Sequence, residues 1–485
     1  MNCCAAISEI FRVRALWVLS FLLLPLFWGC SAPKENFTAE LFELEGYSQD
    51  IPRISCFLTL KEPHGPDLRL EVASIEVLGD GLWLPLTRGP LTLDSATISS
   101  GQIYLGATSA PPGNYSRMRF MITKGELGAA DGNYAVVTND PFAVEVPISE
   151  NMDLNGTDRR SLLISWDVES SIRNDNTLTP ALVVNPPTAQ LLVGLVYVSC
   201  PNIDTIFVVR ADKNWVVDSF GLGGGPTYLA IDPNRSRQLL YVLASRERSI
   251  KVVDLANQKV VDSFRASPSD SPTFMTISPD GHRAYLLDEE GGFLDALDLT
   301  TGQSVARVHL DYRPSYAGYL EEQDLLAVSL SLSQDVLLLD PVTLSVKMTI
   351  PTGSNPQGLA ASENFLLVAE ERDSTVSMTD LENREDQSQL TVGFAPMRIL
   401  ATDDQVYVSN YRSGSLSVLV PGQLSVFQEI PDLGRPKEMV FNEFYRRVYI
   451  TDEGRGAFSI VDANANQFLG RVSLGARPFG LAAIE

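Results

Sequence analysis

Five short runs hold most of the side chains that could do chemistry in this sequence. They are Arg246-Glu-Arg248, Asp288-Glu-Glu290, Glu370-Glu-Arg-Asp373, Asn410-Tyr-Arg412 and Asp452-Glu-Gly-Arg455. Carboxylates and guanidinium groups mixed on one rim can hold a cation, a polar ligand or a protein surface, although short surface turns are also charged for solvation alone. The candidate rim residues are Arg246, Arg248, Asp288, Glu289, Glu290, Glu370, Glu371, Arg372, Arg412, Asp452, Glu453 and Arg455. Catalysis has less to draw on. The histidines are His64, His282 and His309, and His282 falls in the hairpin turn Pro279-Asp-Gly-His282. Such a set makes no cluster for metal binding or general-base work. No P-loop, G-x-S-x-G, CxxC or CxxCH occurs, so no catalytic residue, metal ligand set or cofactor is assigned. Paired carboxylates are the remaining route to an enzyme, and no pair stands out.

The spacing of these runs comes from a repeat. Gly353-Ser-Asn-Pro356, Gly393-Phe-Ala-Pro396 and Gly475-Ala-Arg-Pro478 each open a short apolar strand, and Pro226, Pro272, Pro314 and Pro436 occupy matching places at intervals of 40–46 residues. A period of that length carrying several short strands marks a propeller blade. Glycine at this corner would allow a positive φ, and proline fixes φ where no ladder donor is needed. In a propeller these corners and the loops between second and third strands share one face, so the charged runs should ring the mouth of the central channel.

Composition sets further bounds. At 485 residues the chain is too long for one ordinary core. A net charge of −23 argues against nucleic-acid binding, which needs a basic footprint. Arg12 and Arg14 precede the apolar run Ala15–Trp28, a secretory signal too short to span a bilayer comfortably. Gly29-Cys30 resembles the lipobox of bacterial lipoproteins, which implies acylation of Cys30 and removal of residues 1–29. Ser31, in place of aspartate, implies sorting to the outer membrane, on its periplasmic or surface face. Residues 30–50 read as a tether able to span on the order of 25 Å, leaving no transmembrane span after processing. Cys3 and Cys4 leave with the signal, and an exported compartment would permit Cys56 and Cys200 to pair, or leave both free.

Residues 51–184 alternate apolar and polar with period 2 in Ile54–Leu60, Leu68–Val77 and Pro111–Met121, pointing to a small β-sandwich. Pro112-Gly-Asn-Tyr-Ser-Arg-Met-Arg119 and Trp166-Asp-Val-Glu-Ser-Ser-Ile172 resemble a domain of unknown function frequent in bacterial lipoproteins. Residues 185–194, with Asn185-Pro-Pro-Thr188, read as a linker.

From 195 to 485 the recurring signatures Tyr241-Val-Leu, Tyr407-Val-Ser-Asn410 and Tyr449-Ile-Thr-Asp452 resemble the YVTN family of seven-bladed propellers. Aspartates ending third strands (Asp254, Asp298, Asp340, Asp380 and Asp462) read as turn-formers. Leu195–Phe220 supplies only three strands, and the chain ends on the lone strand Pro478–Glu485. Six whole blades and one shared between the two ends make seven. The expected protein is all-β: a small sandwich, then a seven-bladed propeller closed by a C-terminal strand. It is expected to be lipid-anchored and to bind an envelope protein or small polar ligand. Enzymes on similar propellers, such as lactone hydrolases and quinoproteins, supply the alternative.

Overall fold

A computed structural model describes residues 51–484, apart from 63–64, 88, 99–100, 130–132, 174–176, 186–193, 267–270, 384–386 and 424. Cys30, the signal, the tether and most of the linker lie outside the described residues. Among the described residues no helix is long and apolar enough to cross a membrane. Glu45–Glu485 forms one compact unit.

The N-terminal strands are β1 (Arg53–Leu60), β2 (Leu68–Gly79), β3 (Leu82–Pro85), β4 (Leu91–Asp94), β5 (Gln102–Ser109), β6 (Gly113–Gly128), β7 (Tyr134–Thr138), β8 (Phe142–Leu154), β9 (Arg159–Asp167) and β10 (Ala181–Asn185). They form a single hydrogen-bonded sheet ordered β3-β2-β6-β8-β10-β9-β1-β5, with β4 on β2 and β7 on β6. Its two halves join through one parallel pair, Val184 with Ile148. Ile54, Cys56 and Trp166 from one half share a core with Leu70, Phe120 and Val146 from the other.

Seven four-stranded sheets follow. Blade 1 consists of β11 (Leu195–Cys200), β12 (Thr205–Arg210), β13 (Trp215–Gly221) and the last strand, Leu481–Ile484. Leu195 pairs with Ile484 and Val198 with Leu481 in antiparallel register, as the strand count requires. The first strands of successive blades touch in an unbroken circle, which the Leu481–Ile484 strand completes by meeting Pro436–Asn442 on one side and Pro226–Ile231 on the other. Buried tyrosines of the second strands latch blade to blade. Tyr285 donates to Pro341 O of the next blade at 3.0 Å, and Tyr449 donates to Asn214 Oδ1 of blade 1 at 3.1 Å. The third-strand aspartates form turns as expected. Asp340 accepts from the Val342 and Thr343 amides, and Asp462 from those of Asn464 and Ala465.

The N-terminal sheet docks on blade 1. Gln102 treats the edge of the blade as a strand partner, its amide donating to Val216 O at 2.9 Å and accepting from Val216 N at 2.8 Å. Ser161 Oγ meets Ser219 Oγ at 2.8 Å, and buried Arg159 donates to Ile203 O at 3.1 Å. Phe57 packs edge-on against Phe207, with ring centroids 6.0 Å apart.

Of the two alternatives left open for the cysteines, the docking is consistent with the second: Cys56 and Cys200 are both free and buried. Along β1 side chains alternate faces, so Cys56 enters the core of its own sheet while Phe57 turns to the propeller and joins Cys200. The sheet itself lies between the two sulfurs. Burial pushes both thiols up in pKa, which keeps them protonated and unreactive.

Removing the closing strand exposes the inner edge of blade 1 and the apolar contacts of Phe479, Ala482 and Ile484. Those contacts stabilise the ring by roughly 4–6 kcal/mol. Deletion of residues 478–485 should lower the unfolding midpoint by about 5–10 °C. Calorimetry showing an unchanged transition would refute the closure.

Candidate functional site

The first strand of every blade enters from the face that carries the corners. Its proline is buried in all seven blades, and the residue after it is half-exposed in all seven: Phe479, Thr227, Thr273, Ser315, Gln357, Met397 and Lys437, in blade order. The next residue fills the axis. Here blades 2, 3, 4, 6 and 7 supply Tyr228, Phe274, Tyr316, Arg398 and Glu438, and blades 5 and 1 supply Gly358 and Gly480.

Aromatic rings close one side of the axis. Tyr228 meets Phe274 at 4.6 Å between centroids and Phe479 at 5.2 Å, and Phe274 meets Tyr316 at 4.5 Å. Arg398 closes the other by reaching out of blade 6. Its Nε donates to Glu438 Oε1 of blade 7 at 2.8 Å, and its Nη2 to Tyr228 Oη of blade 2 at 3.1 Å. Its guanidinium carbon lies 4.6 Å from the ring centre of Tyr316 in blade 4. The Tyr228 hydroxyl donates to the same Glu438 oxygen at 3.3 Å. Gly358 leaves the room this needs, since a Cβ there would lie 2.6 Å from Arg398 Cα. The axis is therefore bridged two residues past the prolines, which makes a floor close beneath the corner-bearing face; the area above it that the corners and second-strand loops ring is termed the bowl.

Around that bowl the charged runs take two kinds of position. Asp288, Glu370 and Asp452 end second strands and are buried. Each folds back on its own surroundings. Glu370 accepts from Gly353 N and Thr375 Oγ1, both at 2.6 Å, and from Gln389. Asp452 accepts from Arg435 N at 3.0 Å and Arg455 N at 3.1 Å, and Asp288 from Gly291 N at 2.8 Å.

At Gly475 the corner glycine takes the expected positive φ of 61°, but two other corner glycines serve a different purpose. Gly353 and Gly393 do not adopt positive φ, which falls instead on Asn355 and Ala395 just before the proline. A Cβ on Gly353 would sit 2.5 Å from Glu370 Oε2, and one on Gly393 2.6 Å from Asn410 Cγ. These two glycines make room for the polar side chain that ends the second strand.

The other rim residues pair across neighbouring blades. Arg246 bonds the buried Asp204, Glu289 pairs with Arg313 at 3.0 Å, Arg412 lies 3.9 Å from Glu371, and Arg455 pairs with Asp432 at 2.7 Å. Glu453 accepts from Tyr411 Oη at 3.3 Å, and Glu371 also accepts from the Asn355 amide. Arg248 takes a positive φ of 56°, while Glu290 and Arg372 are exposed. Among the described residues no group of three or more His, Cys, Asp or Glu side chains is placed to hold a metal ion.

Sequence reasoning missed Lys437, Arg398, Glu438 and the aromatic floor. Their signal lay at one fixed offset. Two residues past the repeat proline stand Gly, Tyr, Phe, Tyr, Gly, Arg and Glu in successive blades, a position without a repeated type inside an otherwise regular repeat.

No family matches the sequence, and no curated protein sequence matches it. Solved structures resemble its fold. A functionally unknown protein from Desulfotomaculum acetoxidans aligns with a TM-score of 0.53 at 14% identity, covering 60% of this chain and 99% of its own. A protein from Lactobacillus plantarum aligns at 0.51 and 15% identity, again over 60% and 99%. The dihydro-heme d1 dehydrogenase NirN aligns at 0.45 and 14% identity, over 61% and 77%, too distant to carry an argument. The first two likenesses bear on fold alone.

Two predictions follow from the buried charges. Glu438→Ala leaves Arg398 charged at the axis without its carboxylate, and should cost about 3–5 kcal/mol in urea unfolding. An Arg398→Met, Glu438→Leu double variant should recover much of that loss. Near Asp288, Asp295 is pushed up to about 6, by burial first and against the pull of Arg307. A carboxyl whose folded pKa is raised binds its proton more tightly in the native state, so stability falls as pH rises from about 4 to about 6. Asp295→Asn should remove that component, on the order of 2–3 kcal/mol, and urea midpoints for the two proteins at pH 4, 5, 6 and 7 should converge only at the acid end.

Proposed function

We propose that this chain is a lipid-anchored envelope protein whose propeller is a binding or scaffold module, and that its working surface is the bowl on the corner-bearing face. One observation carries the binding reading: Arg398 and its partners close the axis at a floor. The ring offers a concave, loop-lined surface, a common setting for ligand sites. Exposed Tyr312 and Phe394 on corners and Leu332 on a neighbouring loop add apolar contact area suited to a protein partner. The carboxylates that an enzyme would need are engaged by their own corners (Glu370 and Asp452 above all), which favours binding over catalysis.

Anchoring through Cys30 rests on the lipobox resemblance, and placement in the outer membrane on Ser31. The YVTN assignment rests on the tyrosine signatures and the period. An N-terminal module docked on blade 1 would hold the bowl at a set orientation to the membrane. Metabolic labelling with a fatty-acid probe should mark the wild-type protein and leave Cys30→Ser unlabelled, with the variant released from the membrane fraction. Equal labelling of both would end the anchoring claim. Pull-down from envelope extracts should recover a stable partner for a scaffold and none for a small-ligand receptor.

A further inference from the structure

Lys437 stands beside the axis without the carboxylate that several neighbouring cations have. Arg398 is matched by Glu438, Arg313 by Glu289, and Arg455 by Asp432. Among the described residues no carboxylate lies within ion-pair distance of Lys437 Nζ, which rests instead 4.4 Å from the ring centre of Phe479. Of the acids that face it, Glu438 is paired with Arg398 and Glu289 with Arg313, while Glu453 accepts from the Tyr411 hydroxyl and keeps its charge beyond ion-pair distance of the amine. Summed over the axis, Arg398 and Glu438 cancel and Lys437 leaves one positive charge over the floor. In a chain of net charge −23, that charge sits in a concavity where low-dielectric walls strengthen its field. Arg435 and Arg477, each just before a repeat proline on the same side of the ring and both exposed, extend the positive field outward.

We infer that the bowl is a site for a small organic anion, its carboxylate taken by Lys437 and its apolar part laid against Phe479 and Met397. The inference rests on the binding-module reading and specifies its ligand. Met397, Lys437 and Phe479 follow the repeat prolines of three consecutive blades, so charge and apolar surface lie side by side, and all three are half-exposed. Thr227, Thr273 and Ser315, with hydroxyls turned to main-chain carbonyls, and Gln357, whose amide donates to Asn355 Oδ1, complete the rest of the ring, which leaves Lys437 as its charged member. Burial, and then the neighbouring Arg398, hold the Lys437 amine below its ordinary pKa. An arriving carboxylate favours the ammonium form, so binding should weaken as pH rises through the lysine's titration.

The test uses the mature full-length protein with three probes of similar size and different charge (benzoate, benzamide and benzylammonium), followed by calorimetry and by thermal shift. Benzoate should bind, and bind at least tenfold more weakly to Lys437→Met, which keeps chain length and apolar contact. Lys437→Arg should restore most of the affinity. Unliganded unfolding of both variants should match wild type. Equal benzoate affinity in Lys437→Met, or no benzoate binding at all, overturns the inference. Preferred binding of benzamide or benzylammonium also overturns it, yet leaves the binding-module reading standing. An envelope pull-down without any partner, together with silence from all three probes, removes both.

Discussion

The pairing of Leu195–Cys200 with Leu481–Ile484 is the constraint on which the ring depends. Every other strand pair within the blades links segments near in sequence, whereas this one spans nearly the whole propeller. Without it, blade 1 would present an unpaired inner edge to the channel, and blades 7 and 2 would have no neighbour to complete the circle of first strands. Bringing such distant segments together costs chain entropy that local hairpins do not. The structure concentrates other contacts around the same blade. Tyr449 latches onto its turn at Asn214, Ser199 accepts from Gly480 N, and the N-terminal sheet covers its outer strand.

Much of this architecture was legible because blades are local objects. Apolar strands of five to seven residues, turn aspartates and prolines at a steady period each report on their own hairpin, so counting them leads to seven blades and to the shared one. The N-terminal module was harder to read. Gln102–Ser109 was missed because Gln-Ile-Tyr-Leu-Gly-Ala-Thr-Ser does not alternate polar and apolar residues, and burial is intermediate along nearly its whole length. β1 is buried on both faces, yet Ser55 and Thr59 keep enough polar alternation for its sequence to read as a strand. The cysteines were left open for a related reason, since nothing in the spacing of Cys56 and Cys200 says on which side of a sheet each sulfur lies.

The site divides in the same way. Charged runs stood out by composition, and the structure spends several of them on holding corners, as Glu370 does for Gly353. The residues at the axis carry no local signature. Arg398, Glu438 and Tyr228 are far apart in sequence and belong to different repeats, and only ring closure brings them together. A repeat read by consensus hides such positions, because the chemistry lies where the copies disagree.

Repeat proteins are often nearly additive, each unit stabilised by itself and its two neighbours. The Arg398 side chain departs from that rule by contacting blades 2, 4 and 7 from blade 6, so energy at the axis is shared among units that are not adjacent. The ring should thus behave as a single cooperative body, in which a blade cannot loosen without disturbing blades across the axis. A propeller of this kind would tolerate divergence on its outer strands while changing at its centre only through coordinated substitutions in several blades at once.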